Sequence, residues 1–260
     1  MRFGFIGAGN MASAIIRGMT IGTRSYDGKD IFITSKSGTS AQRLAETCGA
    51  TAVTTAAEVV AASDVLVLAV KPGILPVVIE EIRDVVDDRK LVLSVAAGKT
   101  TKWLSAQFEH PVKIIRCMPN TPALVQEGCS AVCRSSAVSE EELNEVLQIV
   151  SSFGLAEVVN ESLMDTVGAV SGASPAYAFM FMEALADAGV KGGMPRKQAY
   201  RFAAQTLLGS AKLLLETGKH PGELKDMVCS PGGTTIEGLE ALEKDGFRAA
   251  VMDAIDACIQ

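Results

Sequence analysis

The sequence predicts an α/β fold in two parts: a doubly wound, mostly parallel sheet domain over residues 1–160, then an all-helical domain over residues 161–260. Two observations carry that prediction. Up to about residue 160, short apolar runs alternate with amphipathic stretches, the pattern of β-α-β units whose crossovers place helices on both faces of a parallel sheet. Beyond it no convincing strand run remains, and apolar residues recur at helical spacing.

The first strand, residues 2–6, feeds Gly7-Ala8-Gly9-Asn10-Met11-Ala12. A helix follows, with Met11, Ala12, Ile15, Ile16 and Met19 on one stripe and Gly22 as its terminator. Residues 30–34 are the second strand, and a helix over 40–47 is capped by Ser40 and stopped by Gly49. Strands at 51–53, 65–70, 91–95 and 113–117 come next. Val65-Leu66-Val67-Leu68-Ala69-Val70 is apolar without a break, as a parallel strand covered on both faces must be. The last strand-like runs, 130–133 and 156–159, lack full crossover helices and are expected as antiparallel or edge strands. Between them Ser139-Glu140-Glu141-Glu142 reads as a capping box before Leu143, Val146, Leu147 and Val150, with Gly154 beyond.

Helices then cover 175–188, 195–217, 222–228, 234–244 and 246–259, with Pro195 in a first-turn position. Leu207, Leu208, Leu213, Leu214 and Leu215 make the second of these apolar on more than one face. Such surface asks for burial against the sheet domain and a second copy of the chain.

The net charge of −6, with Lys and Arg scattered, argues against nucleic acid as a partner. Cysteines 48, 117, 129, 133, 229 and 258 form no C-x-x-C pair and read as small buried thiols of a reducing compartment. His110 and His220 each precede a proline and are placed in loops; no ligand spacing suggests a metal. Residues 166–182 are uncharged but too short to span a membrane, and are expected as a buried helix bending or starting near Pro175. A cytoplasmic protein without a membrane partner is expected.

The glycine turn carries the first chemistry. Gly7 makes a tight turn, Gly9 lets backbone approach a pyrophosphate, and Ala12 keeps the helix against the sheet. Asn10 and Met11 open the helix whose N-terminus faces the anion, the arrangement of a dinucleotide site. The second strand ends in Thr34-Ser35-Lys36-Ser37, with hydroxyls and a lysine where an NAD-specific site has an acid. Ser35, Lys36 and Arg43 therefore suit a 2′-phosphate and favour NADPH; a solvated loop that also accepts NADH is the alternative.

Three more strand ends belong to the same edge: Ala69-Val70-Lys71-Pro72, the small residues Ala96-Ala97-Gly98, and Met118-Pro119-Asn120 between Arg116 and Pro122. Asn120 can donate and accept hydrogen bonds. Far along the chain, Ser230-Pro231-Gly232-Gly233-Thr234-Thr235 precedes a helix. Its backbone N–H groups suit a carboxylate, though a capped helix start without ligand fits as well.

Taken in order, G-A-G-N-M-A, A-V-K-P, S-V-A-A-G, R-C-M-P-N-T-P, S-G-A-S-P-A-Y and S-P-G-G-T-T resemble the signature set of the pyrroline-5-carboxylate reductase family over essentially the whole chain. The last, preceded by His220-Pro221-Gly222-Glu223-Leu224-Lys225-Asp226, is the most specific. The resemblance implies a Rossmann domain followed by a helical dimerisation domain that interlocks with its twin, and in many members a decamer. It implies hydride transfer from NAD(P)H to the C=N carbon of an imino acid, 1-pyrroline-5-carboxylate, giving L-proline. By position, Ser230 and Gly232 to Thr235 hold the substrate carboxylate, and the Thr235 hydroxyl bonds the ring nitrogen. Ala69 to Pro72 and Met118 to Asn120 line the nicotinamide side. Ser171 and Tyr177 are expected near the substrate pocket or a helical interface. Two departures stand out: Ser174 replaces a glycine of the family pattern, and Ala56-Ala57 stands where many members have asparagine near the adenosine.

The chemistry agrees with the residues present. A protonated imine is already cationic, so hydride transfer needs positioning more than a strong buried acid, and no His–Asp or His–Glu dyad is identifiable. A reductase of a related cyclic imine and a catalytically inactive NADP-binding protein are the rivals. Hydroxy-acid dehydrogenases need a lysine on the first long helix of the second domain, and residues 164–188 contain none.

Overall fold

Val65 and Val67 turn to one face of a sheet while Leu66 and Leu68 turn to the other, which is why an unbroken apolar run reads as a central strand. The computed structural model describes residues 1–21 and 26–259; the expected terminator Gly22 lies outside them. The strands are β1 Phe3–Ile6, β2 Ile31–Thr34, β3 Thr51–Ala52, β4 Val65–Leu68, β5 Leu91–Ser94, β6 Lys113–Met118, β7 Gly128–Arg134 and β8 Gly154–Val158. They form one sheet in the order β3-β2-β1-β4-β5-β6-β7-β8. Every neighbouring pair is parallel except β6–β7. As expected, the late strands supply the antiparallel partner and the edge.

Helices cover both faces. Ile15, Ile16 and Met19 of α1 (Asn10–Ile21) and Leu44 of α2 (Thr39–Cys48) share one buried cluster with Phe3, Phe5, Ile31 and Ile33, and Val146 and Ile149 of α6 (Glu140–Val150) extend it over β7 and β8. Opposite, Val59 of α3 (Ala56–Ala62), Ile79 and Ile82 of α4 (Leu75–Ile82) and Leu104 of α5 (Thr101–Ser105) cover Leu66 and Leu68. The strand order therefore reverses at β1, between β2 and β4.

The Ser139–Glu142 capping box forms, and Thr55 with Glu58 makes a second at the start of α3. Ser40 is not a cap. The helix starts at Thr39, after Gly38, and Ser35 supplies the oxygen, accepting the Ala41 N–H at 3.1 Å and the Ser40 hydroxyl at 2.8 Å. His220 lies in the connection before α10 (Pro221–Val228), as expected, and there its Nδ1 accepts the Gly222 N–H at 3.1 Å and caps the helix.

The chain divides into two compact units, Met1–Gly172 and Ala173–Gln260. Residues 161–172 stay with the sheet because Met164, on the short helix α7 (Met164–Val167), is fully buried with Ala131 and Cys133 of β7. A π-helical turn, Gly168–Ala173, leads to α8 (Ser174–Lys191). Ser174 costs no backbone strain: among the described residues Gln126 is the one non-glycine with positive φ.

The helical unit continues with α9 (Arg196–Thr217), α10, α11 (Thr234–Lys244) and α12 (Phe247–Asp256). Its buried apolar residues are small, Ala186, Ala199 and Ala203, while Phe179, Met180, Phe202 and Leu215 are exposed. In residues 166–182 the helix starts at Ser174, next to Pro175, as expected, while most of the stretch is not buried within the single chain. No described helix is long and apolar enough to cross a membrane.

The cysteines are also less uniformly buried than expected: Cys117 and Cys133 are buried, Cys48, Cys129 and Cys229 half-buried, and Cys258 exposed. Burial pushes the Cys117 thiol up to about 12 and the Cys133 thiol up to about 11, so both stay protonated. In the native protein these two should resist a thiol-specific chromogenic reagent at neutral pH and react only on unfolding, which peptide mapping after labelling checks.

Candidate active site

Gly7 leaves β1 at φ +109°, donating its N–H to the Thr34 carbonyl at 2.9 Å. A Cβ there would be driven into the Ala69 carbonyl, whose carbon would lie 2.8 Å away. One glycine thus touches the ends of both β2 and β4, at the switch point where open α/β sheets bind ligands. A Cβ on Gly9 would meet no atom within 4 Å. That open space lies over the start of α1, where Ser13 N–H bonds the Gly9 carbonyl at 2.9 Å, Asn10 is exposed, Met11 half-buried and Ala12 buried. A helix N-terminus beneath open space is what a pyrophosphate requires, so these residues fit a dinucleotide.

Around this cradle the expected residues fall on one sheet edge. At the end of β2, Ser35 is half-buried and tied to α2, and Lys36 and Arg43 are exposed. After β4, Ala69 and Val70 are half-buried and Lys71 and Pro72 exposed, with the Ile74 N–H closing a turn on the Lys71 carbonyl at 2.9 Å. After β5, Ala96 is buried and Ala97 and Gly98 are exposed. After β6, Met118 is half-buried and Pro119 and Asn120 are buried. Asn120 is already engaged: Oδ1 accepts the Cys129 N–H at 2.8 Å, and Nδ2 donates to the Ser171 carbonyl at 3.0 Å. Its side chain braces the loop, and what the loop offers a ligand is mostly backbone and the flanking Met118.

In the helical unit, the Gly233 N–H closes a turn on the Ser230 carbonyl at 3.0 Å, and Gly232 takes φ +67°. No side chain caps α11, which starts at Thr234. The first N–H groups of a helix have no partner within it, so this start is a ready anion site, with the Thr235 hydroxyl exposed beside it. The side-chain cap that the alternative reading called for is absent. Ser230 is exposed and Gly233 half-buried; a Cβ on Gly233 would collide with the Ser230 hydroxyl. Tyr177 is held within the same unit, its hydroxyl 3.4 Å from the Ala254 carbonyl and 3.1 Å from Cys258 Sγ. Ser171 donates to the Val167 carbonyl at 2.9 Å inside the sheet unit.

One cluster escapes sequence reasoning. Arg116, on β6, is buried and faces Glu161 and Asp165, and Glu161 also binds Thr101. The available signal is a lone arginine inside the apolar strand Ile114-Ile115-Arg116-Cys117-Met118. Among the described residues no group of three or more His, Cys, Asp or Glu side chains converges to hold a metal.

Residues 161–260 match a family model described as pyrroline-5-carboxylate reductase dimerisation, and residues 2–98 one described as NADP oxidoreductase, coenzyme F420-dependent. The chain is 49% identical to the pyrroline-5-carboxylate reductase of Escherichia coli (strain K12), covering 100% of this chain and 96% of that one. The solved structure of a pyrroline-5-carboxylate reductase from Coxiella burnetii superposes with a TM-score of 0.93 at 33% identity, covering 99% of this chain and 96% of the other. The Plasmodium falciparum pyrroline carboxylate reductase with NADP bound gives 0.87 at 32% identity over 100% and 95%. With this similarity over its whole length, the chain belongs to the pyrroline-5-carboxylate reductase family.

Proposed function

We propose that this chain reduces 1-pyrroline-5-carboxylate to L-proline with NADPH, in the cytoplasm, as a homodimer that assembles further into a decamer. The observation that carries the reaction is the pair of prepared anion sites, the open space at Gly9 over α1 and the uncapped start of α11 at Thr234. One suits a pyrophosphate and the other a small carboxylate.

NADPH, when bound, supplies the hydride. Gly7, Gly9, Asn10 and Met11 hold its pyrophosphate, and Ser35 with Lys36 receives the 2′-phosphate. Ser35 is prepared to donate, because its oxygen already accepts two hydrogen bonds and its own proton is free to point outward. Ala69 to Pro72, Ala96 to Gly98 and Met118 to Asn120 shape the nicotinamide side. Ser230 and the Gly232–Thr235 nest grip the substrate carboxylate, and the Thr235 hydroxyl bonds the ring nitrogen and orients the imine carbon. The homodimer reading is supported by the helical unit's exposed Phe179, Met180, Phe202 and Leu215, which lack large buried partners.

Loss of reduced-nicotinamide absorbance on adding pyrroline-5-carboxylate tests the reaction directly; no oxidation of NADPH or NADH would refute it. Thr235→Ala should lower kcat by about 10–100-fold, the loss of roughly 1.5–3 kcal/mol from a charge-assisted hydrogen bond, read from steady-state kinetics. Lys36→Glu should raise KM for NADPH by at least about tenfold and leave KM for NADH nearly unchanged, because a carboxylate would face the 2′-phosphate. Gly7→Ala should lower the melting temperature and abolish NADPH binding, since a strained positive-φ residue costs about 1–3 kcal/mol and its Cβ displaces the Ala69 carbonyl.

A further inference from the structure

Arg116 sits in register between Ser94 of β5 and Cys133 of β7, just before the Met118–Asn120 loop. Its side chain is 2% exposed, and Nε has no hydrogen-bond partner. A buried guanidinium needs compensation. It receives it from Glu161, whose Oε1 lies 3.6 Å from Nη1, and from Asp165, whose Oδ1 lies 3.4 Å from Nη2. Asp165 is largely solvated, so Glu161 is the better-shielded counter-charge. The same carboxylate turns its shorter bonds elsewhere: Oε1 accepts the Thr101 N–H at 2.6 Å and Oε2 the Thr101 hydroxyl at 2.7 Å. Thr101 opens α5, directly after the loop of Ala96, Ala97 and Gly98.

One side chain therefore ties Thr101, which follows the 96–98 loop, to Arg116, inside β6 just before Met118. We propose that Glu161 is a positioning residue for hydride transfer, a clamp that sets the spacing of the 96–98 and 118–120 loops through Thr101 and Arg116. None of the three need touch substrate. The inference rests on the reductase reading above. The effect expected is on the cofactor side, because both loops belong to the sheet unit.

The test compares Glu161→Gln, Thr101→Val and Thr101→Ser with the unaltered protein, by NADPH titration and by turnover. In Glu161→Gln and Thr101→Val, kcat should fall about tenfold and NADPH should bind several-fold more weakly, with KM for the imino acid within about twofold, since small misplacements of a bound reactant slow transfer. Thr101→Ser keeps both donors and should restore wild-type values. Unchanged kcat and NADPH affinity in Thr101→Val and Glu161→Gln would overturn the clamp. So would a Thr101→Ser variant as impaired as Thr101→Val, since lost packing would then be the cause. If Glu161→Gln does not fold, the two Thr101 variants decide. An unaltered protein that binds NADPH without reducing the imino acid would sink the reductase reading alone, and the titrations of the variants would still judge the clamp.

Discussion

The turn at Gly7 is the constraint on which the rest is built. Its N–H is committed to β2, its missing side chain makes room for β4, and its positive φ aims the chain into α1. Because β1 is paired on both sides, these three demands meet at the reversal of strand order. The crevice, the helix N-terminus and the open space at Gly9 follow from that meeting. A Cβ at Gly7 would strike the Ala69 carbonyl, and one at Gly9 would enter the open space over α1.

The two units solve the burial problem differently. The sheet unit closes its own core, with Phe3, Phe5, Ile15, Ile16 and Leu66 fully buried on two faces. The helical unit buries mainly alanines and leaves large apolar side chains exposed. Exposed apolar faces of this kind mark interaction surfaces, in keeping with the segment's match to a dimerisation family model. Its chemistry is likewise spare. An uncapped helix start and one hydroxyl form the candidate substrate site, adequate where the acceptor carries its own positive charge.

Polar groups buried near the sheet edge act as braces. Asn120 ties its loop to β7 and to residue 171, and Arg116 with Glu161 and Thr101 does so for the neighbouring strand ends. On sequence alone Asn120 reads as a free donor and acceptor, because residue type reveals capacity, whereas the partners that use it lie 9 and 51 positions away. Ser40 looks like a cap for a related reason: Ser35, on the turn before it, reaches the helix first.

By itself the sequence determined what depends on local spacing. Alternation, helical stripes and glycine or hydroxyl punctuation set the strand runs, the late helices, the glycine turn before α1 and the glycine turn before α11, because each is written within a few consecutive residues. Tertiary structure decided what depends on distant partners. It kept residues 161–172 with the sheet through Met164, set Arg116 against Glu161, and left the helical unit's apolar faces open. Burial and charge compensation are properties of neighbours in space, and spacing along the chain does not encode them.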